Sequence, residues 1–413
     1  MKLNEHFLAQ LREATALLQT SGPAAATEAI QRALGAAGLT DAGHTDRKEA
    51  ANTPDGFIDI NQVSKEAMPP KADLHGMLER LRSRAGKQRQ APFPTADVED
   101  VEVHIAEDAP ASNRKEGGRF LSGACTNRAG TRSYRLYVPS TYRGEALPLV
   151  VMLHGCKQNP DDFAAGTGMN RLAEQHNCLV LYPGQAVKAN GSNCWNWFSP
   201  ADQRRDQGEP SIIADMTRQI MKEYSIDPER VYVAGLSAGG AMAAIMAASY
   251  PDMYAAVAIH SGLPVGSAHD VASAFSTMKG GMPGGHGPAL SPSRQPVPVI
   301  VFHGDRDHTV HPDNGRKALA QCMGMAADNG FAERMSRNSK TAKGKTAQGR
   351  AYTQTIFLNE IEQAVAEQWI IHGAGHAWSG GSKAGSYTDP KGPDASAEMM
   401  RFFLAHPKKH SRQ

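Results

Sequence analysis

The chain has 413 residues, with 44 Lys and Arg against 42 Asp and Glu, for a formal net charge of +2. That near-balance leaves no basic field to make nucleic acid the main partner, and no apolar run reaches the roughly eighteen residues of a membrane span. Hydrophobic residues make up 40%, enough for one substantial core with part of the chain left outside it.

Leu3, Phe7, Leu11, Ala14 and Leu18 recur at steps of three and four, which predicts an amphipathic helix. "TSGP" breaks it, and a second helix carries Ile30 and Leu34, so residues 1–35 form a helical segment. Glu5, Arg12 and Glu13 stand where a secretory leader needs an apolar stretch, so the expected compartment is the cytoplasm. Residues 36–118 shift to Asp, Lys, Gly, Pro, Ser and Ala with little periodicity, apart from a short helix at "LHGMLERLRSR". They read as a mostly disordered linker.

From residue 119 the pattern changes. "SYRLYVP" and "LPLVVMLHG" are β-rich, "GMNRLAEQHN" is helical, and "CLVLYP" is again a strand. "SIIADMTRQIMKEYSID" has helical periodicity and leads into the strand "RVYVAG", then the helix "AMAAIMAASYP". "YAAVAIHSG", "VPVIVFHG" and "QWII" are further strands, and "ASAEMMRFFLAH" is a closing helix. Continuous apolar strands alternating with helices predict an α/β domain over 119–405: a mostly parallel sheet with helices on both faces. "FSTMKGGMPGGHGPALSPSRQP" reads as a loop, either a flap or plain connecting chain, and "SRNSKTAKGKTAQGR" as a second exposed loop. Residues 406–413 are a basic tail.

The chemistry concentrates at "GLSAGGAM". Ser237 lies where a strand meets a helix, flanked by Gly235, Gly239 and Gly240, the small neighbours that a strained nucleophile elbow requires. A serine nucleophile needs a base, an acid to orient the base, and donors for the oxyanion. In the order Ser, acid, His, the acids available are Asp305 and Asp307 after "VPVIVFHG", and the bases are His372 and His376 after "QWII". Asp307 stands three residues after Gly304 and three before Val310, in the loop beyond the strand, whereas Asp305 is placed to bond nearby backbone N–H groups. The backbone N–H groups of Ala238 and Cys156 are the expected oxyanion donors, Cys156 because "LVVMLHGC" is a buried strand ending at His154-Gly155. Trp195 and Trp197 in "SNCWNWF" and Trp378 beside His376 read as a groove wall, the alternative being core aromatics. His308 and His311, or His372 and His376, have spacings seen in metal sites. With no H-E-x-x-H and no C-x-x-C in the chain, neither a metal nor another cofactor is expected.

"LHGCKQNPDDFAAGTGMNRLAE", "NCWNWF", "GLSAGGAM", "FHGDRDHTVHPDN" and "GAGHAWSGG", in this order over about 119–405, resemble the polyhydroxybutyrate depolymerase-type esterases of the α/β-hydrolase superfamily, which adjoin the feruloyl and acetylxylan esterases. The resemblance implies a Ser237–Asp307–His376 triad, a Cys156–Cys194 disulfide, and an extracellular setting in place of the cytoplasm. Ahead of the long helix the family has a tighter R-G-x-G-E-like pattern where this chain has "QRRDQGEP". The expected function is serine carboxylic ester hydrolysis through an acyl-enzyme, on hydroxyalkanoate oligomers or small acyl esters. The competitors are a feruloyl or acetylxylan esterase, a prolyl-oligopeptidase-like peptidase, and a non-catalytic granule- or partner-binding protein working through the N-terminal helices.

Overall fold

The computed structural model describes residues 117–280, 296–324 and 338–408. The expected N-terminal helices, nearly all of the linker, most of the glycine-rich loop and the end of the basic tail lie outside the described residues.

Ten strands form one sheet. In chain order they are β1 (Arg119–Asn127), β2 (Gly130–Val138), β3 (Leu147–Leu153), β4 (Leu179–Pro183), β5 (Ile226–Leu236), β6 (Ala256–His260), β7 (Val299–Gly304), β8 (Ser339–Lys345), β9 (Ala351–Leu358) and β10 (Ala364–Ile371). The spatial order is β1-β2-β4-β3-β5-β6-β7-β10-β9-β8. Strands β4, β3, β5, β6, β7 and β10 run parallel, and an antiparallel pair closes each edge.

Every residue of β3, β4, β6 and β7 is buried, which is why these strands read as unbroken apolar runs. Their side chains still alternate between two cores. Val151, Val233, Val257 and Val301 face one, while Met152, Tyr232, Ala258 and Phe302 face the other. The first core is covered by helices α3 (Gly208–Glu223), α4 (Ala238–Ser249) and α6 (Asp313–Cys322). The second is covered by α1 (Pro160–Thr167), α2 (Met169–His176) and α7 (Ala395–Ala405). Helix α4 is buried from Ala238 to Ala247. Its run of alanines and glycines, rather than an apolar stripe, lets it sit close against the sheet.

Two sequence readings need correction. "SRNSKTAKGKTAQGR" contains the strand β8, which pairs antiparallel with β9 at the sheet edge. Its residues are mostly exposed, so it has no apolar alternation to detect, and Lys340, Lys343 and Lys345 mark it as a guarded edge. The glycine-rich loop also starts later than expected, because Phe275–Met278 end helix α5 (Val271–Met278). That helix is opened by an Asp270–Ser273 capping box, which the loop reading overlooks. Among the described residues, no helix is long and apolar enough to cross a membrane.

Because the central strands are parallel, the segments that follow β3, β5, β6, β7 and β10 emerge at one end of the sheet, beyond the carboxyl ends of the strands. All the candidate catalytic residues lie in those segments.

Candidate active site

Ser237 joins β5 to α4 at φ 57° and ψ −119°, a conformation that costs an L-residue strain and persists only when its surroundings fix it. Here the surroundings do. A Cβ on Gly235 would collide with the Gly239 carbonyl, and one on Gly239 with the carbonyl oxygens of Leu153 and His154. The Ser237 N–H donates to the His260 carbonyl (2.9 Å) and its own carbonyl accepts from Ala241 N–H (2.9 Å). Ser237 stays half-buried while its neighbours on either side are buried.

Asp307 and Asp305 have separate partners. The Asp307 Oδ1 accepts from the N–H groups of Thr309 (2.9 Å) and Val310 (2.8 Å), which turns Oδ2 towards His376 Nδ1 at 2.7 Å. His303 Nε2 lies 2.9 Å from the Val310 carbonyl and 3.4 Å from the same Oδ2. Both neighbours only accept, so that nitrogen carries the proton. Burial alone would raise the Asp307 carboxyl pKa, but the hydrogen bonds from His303 and His376 outweigh it and hold the group well below the usual carboxylate range. Asp307 therefore stays ionised, and a carboxylate on Nδ1 leaves His376 Nε2 as the basic nitrogen. Asp305 instead takes the Gly373 N–H (2.6 Å) and His372 Nδ1 (2.8 Å), while His372 Nε2 meets Thr353 Oγ1 at 2.8 Å. That pair clamps the ends of β7, β9 and β10 to one another and leaves the Asp307–His376 pair undisturbed.

His260 ties the elbow to the His376 loop. Its carbonyl takes the Ser237 N–H, its Nε2 accepts from Ser379 N–H (3.0 Å), and its ring stacks on Trp378 at 5.1 Å. Sequence reasoning missed both His260 and His303, each a single polar residue ending an apolar run. Their position at a strand's carboxyl end was the one available signal.

The second amide site follows β3. The Gly155 N–H donates to Gln158 Oε1 (2.9 Å) and the Lys157 N–H to the Ser192 carbonyl (2.7 Å). Between them, the Cys156 N–H has no acceptor among the described residues. Ala238 opens α4, where first-turn N–H groups have no acceptor within the helix. The structure joins Cys156 to Cys194 in a disulfide, with Cys125, Cys178 and Cys322 as free thiols.

The three tryptophans are not an open groove wall. Trp195, Trp197 and Trp378 are 0%, 6% and 1% exposed. Trp195 Nε1 donates to the His154 carbonyl (3.1 Å) and Trp378 Nε1 to Ser396 Oγ (3.0 Å), so the indole N–H groups find the buried acceptors that let them sit inside. Trp195, against the His154 ring, and Trp378, on the His260 ring, back the site from within. No group of three metal-ligating side chains occurs among the described residues.

His154 and His260 are both buried and neutral, burial lowering their pKa values from 6.5 to about 4 and about 3. The unfolded chain takes up these two protons as pH falls through about 6.5, and the folded chain does not until about pH 4 at His154 and about pH 3 at His260. The stability that these two rings contribute is therefore complete above pH 6.5 and is lost as pH falls towards 4. Thermal melts across that window should show a steadily falling Tm, and a flat Tm would mean the two rings are protonated or solvated in the native state.

Residues 132–345, just over half of the chain, match the family model described as esterase PHB depolymerase. A poly(3-hydroxyalkanoate) depolymerase C from Paucimonas lemoignei is 39% identical over 209 residues, covering 49% of this chain and 50% of that protein. The chain thus spans half the length of that relative. A feruloyl esterase B from Neurospora crassa is 30% identical over 56% of this chain and 79% of its own length. A probable acetylxylan esterase A from Aspergillus fumigatus is 28% identical over 60% and 68%. Among solved structures, an acetyl xylan esterase from Aspergillus awamori superposes with a TM-score of 0.53 at 21% identity, over 69% of this chain and 99% of its own, and shares the fold. With the strained Ser237 turn and the Asp307 loop both inside the matched span, the chain belongs to the esterase PHB depolymerase family.

Proposed function

We propose that the protein hydrolyses carboxylic esters through an acyl-enzyme on Ser237, with His376 as base and Asp307 as its orienting anion. The observation that carries this reading is the Asp307–His376 hydrogen bond at 2.7 Å, at the same carboxyl end of the sheet as the positive-φ serine. Ser237 Oγ attacks the ester carbonyl as His376 Nε2 takes its proton. The resulting oxyanion is held by the N–H groups of Cys156 and Ala238. The C–O bond to the leaving alcohol then breaks and His376 returns the proton to that oxygen. In the second half, His376 takes a proton from water as the water oxygen attacks the acyl carbon, the bond from that carbon to Ser237 Oγ breaks to release the carboxylic acid, and His376 returns the proton to Oγ.

The relatives support two substrate classes, hydroxyalkanoate oligomers and acyl groups carried on sugars. Turnover of p-nitrophenyl acetate, butyrate and octanoate, beside hydroxybutyrate oligomers, acetylated xylan, a methyl ferulate and a peptide anilide, separates them. We expect ester turnover with short acyl preference and no peptide cleavage; cleavage of the anilide with inert esters would sink the reading. Residues before Gly117 supply none of the proposed catalytic groups. A chain shortened to begin at Gly117 should keep its kcat/KM on soluble esters, and a collapse in a folded shortened chain would bring the missing segment into the active site.

A further inference from the structure

Glu209, the glutamate of "QRRDQGEP", stands in the first turn of α3 and is 3% exposed. A buried carboxylate is costly unless several donors surround it. Its Oε1 accepts from Gln185 Nε2 (2.5 Å), Asn196 Nδ2 (2.8 Å) and Arg132 Nη2 (3.3 Å), and its Oε2 from Asn196 N–H (2.7 Å). Arg132 Nε also donates to Gln185 Oε1 (2.7 Å), so the Gln185 side chain is held at both its oxygen and its nitrogen.

From Gln185 the contacts lead to the site. Its backbone N–H donates to His154 Nε2 (3.1 Å), and an amide has no lone pair to accept with, so the His154 proton sits on Nδ1. Nδ1 then donates to the Gly155 carbonyl at 2.8 Å. That carbonyl and the Cys156 N–H belong to one trans peptide and point in opposite directions. Whatever fixes the carbonyl also aims the amide. A second line reaches the same residue, because Gln185 Nε2 holds the Cys194 carbonyl (2.8 Å), Glu209 holds Asn196, and Cys194 is bonded to Cys156.

We infer that Glu209 is a positioning residue for ester hydrolysis, fixing the direction of the Cys156 amide through Gln185 and His154 on one side and through the Cys194 loop on the other. This rests on the reading of that amide as an oxyanion donor. Glu209→Gln places an NH2 group among donors and breaks the first link. His154→Phe keeps a ring of similar shape and removes the last.

The test measures kcat and KM for p-nitrophenyl butyrate in the full-length chain, together with the Ki of a trifluoromethyl ketone that mimics the tetrahedral oxyanion. Removing an oxyanion donor outright costs about 10²–10³ in kcat, so misaiming one should cost about 10- to 100-fold. Each variant should lose kcat by that factor and ketone affinity in parallel, with KM within about threefold, which loosened packing alone would not produce. The double variant should be no worse than the poorer single one, because both act through one peptide. Unchanged kcat in folded Glu209→Gln, or losses that multiply in the double variant, would overturn the inference. If Glu209→Gln does not fold, Gln185→Leu takes its place, since it cuts the relay and leaves Glu209 with Arg132 and Asn196; the same outcomes apply. Ser237→Ala separates the two readings. Retained turnover there overturns the serine mechanism itself, whereas loss there beside an unaffected Glu209→Gln overturns the relay alone.

Discussion

Asp307→Asn should lower kcat by about 10⁴-fold while the protein stays folded. The hydrogen bonds predict which way the new amide turns. Thr309 and Val310 N–H groups hold Oδ1, so the Asn oxygen takes that place and its NH2 faces His376. A donor at that point forces His376 to accept on Nδ1 and carry its proton on Nε2, the wrong tautomer for a base. Asp305→Asn meets no such conflict. Its oxygen can keep the Gly373 N–H, and its NH2 can donate to His372 Nδ1, whose other nitrogen then donates to Thr353 Oγ1. The expected cost there is about 1 kcal/mol of stability and little kcat. Steady-state kinetics and urea melts of both variants decide between them. Equal kinetic losses would leave the acid unassigned, and a loss confined to Asp305→Asn would reverse the assignment.

Replacing Cys156 and Cys194 together by Ser should cost about 4 kcal/mol by the loop-closure relation for a bridge of this span, the two residues being 38 apart. It should also lower kcat more than it raises KM, because the bridge ties the proposed oxyanion residue to the loop that carries Trp195. Denaturant midpoints and kinetics of the double variant, and of the native chain after reduction, measure the two effects separately. Full kcat in a reduced, folded chain would show that the Cys156 amide is held without the bridge.

Much of the fold was legible because its centre is an extreme case. β3, β4, β6 and β7 are buried on both faces and read as apolar runs, and α2 and α3 carry the helical period. The Ser237 turn was legible for a steric reason, since only glycine fits at 235 and 239. Where a strand is mostly exposed and pairs on one side only, as β8 does with β9, the sequence carried no apolar alternation to read. Where a polar residue is buried singly, as with His260, His303 and Glu209, neither period nor spacing marks it, and only its partners give it meaning. The tryptophans misled for a related reason. An indole at 195 or 378 is compatible with a wall or with a core, and the acceptor of its N–H decides which.

The central claim is that Ser237 becomes acylated. Rapid acid quench of the full-length chain with p-nitrophenyl butyrate, followed by peptide mass spectrometry, tests it most directly. The mechanism predicts one butyryl group on the peptide containing Ser237 during turnover, accumulating in Asp307→Asn if the second half-reaction is the slower one, and absent from Ser237→Ala. Butyrylation of another residue at a kinetically competent rate, or undiminished turnover by Ser237→Ala, would contradict it.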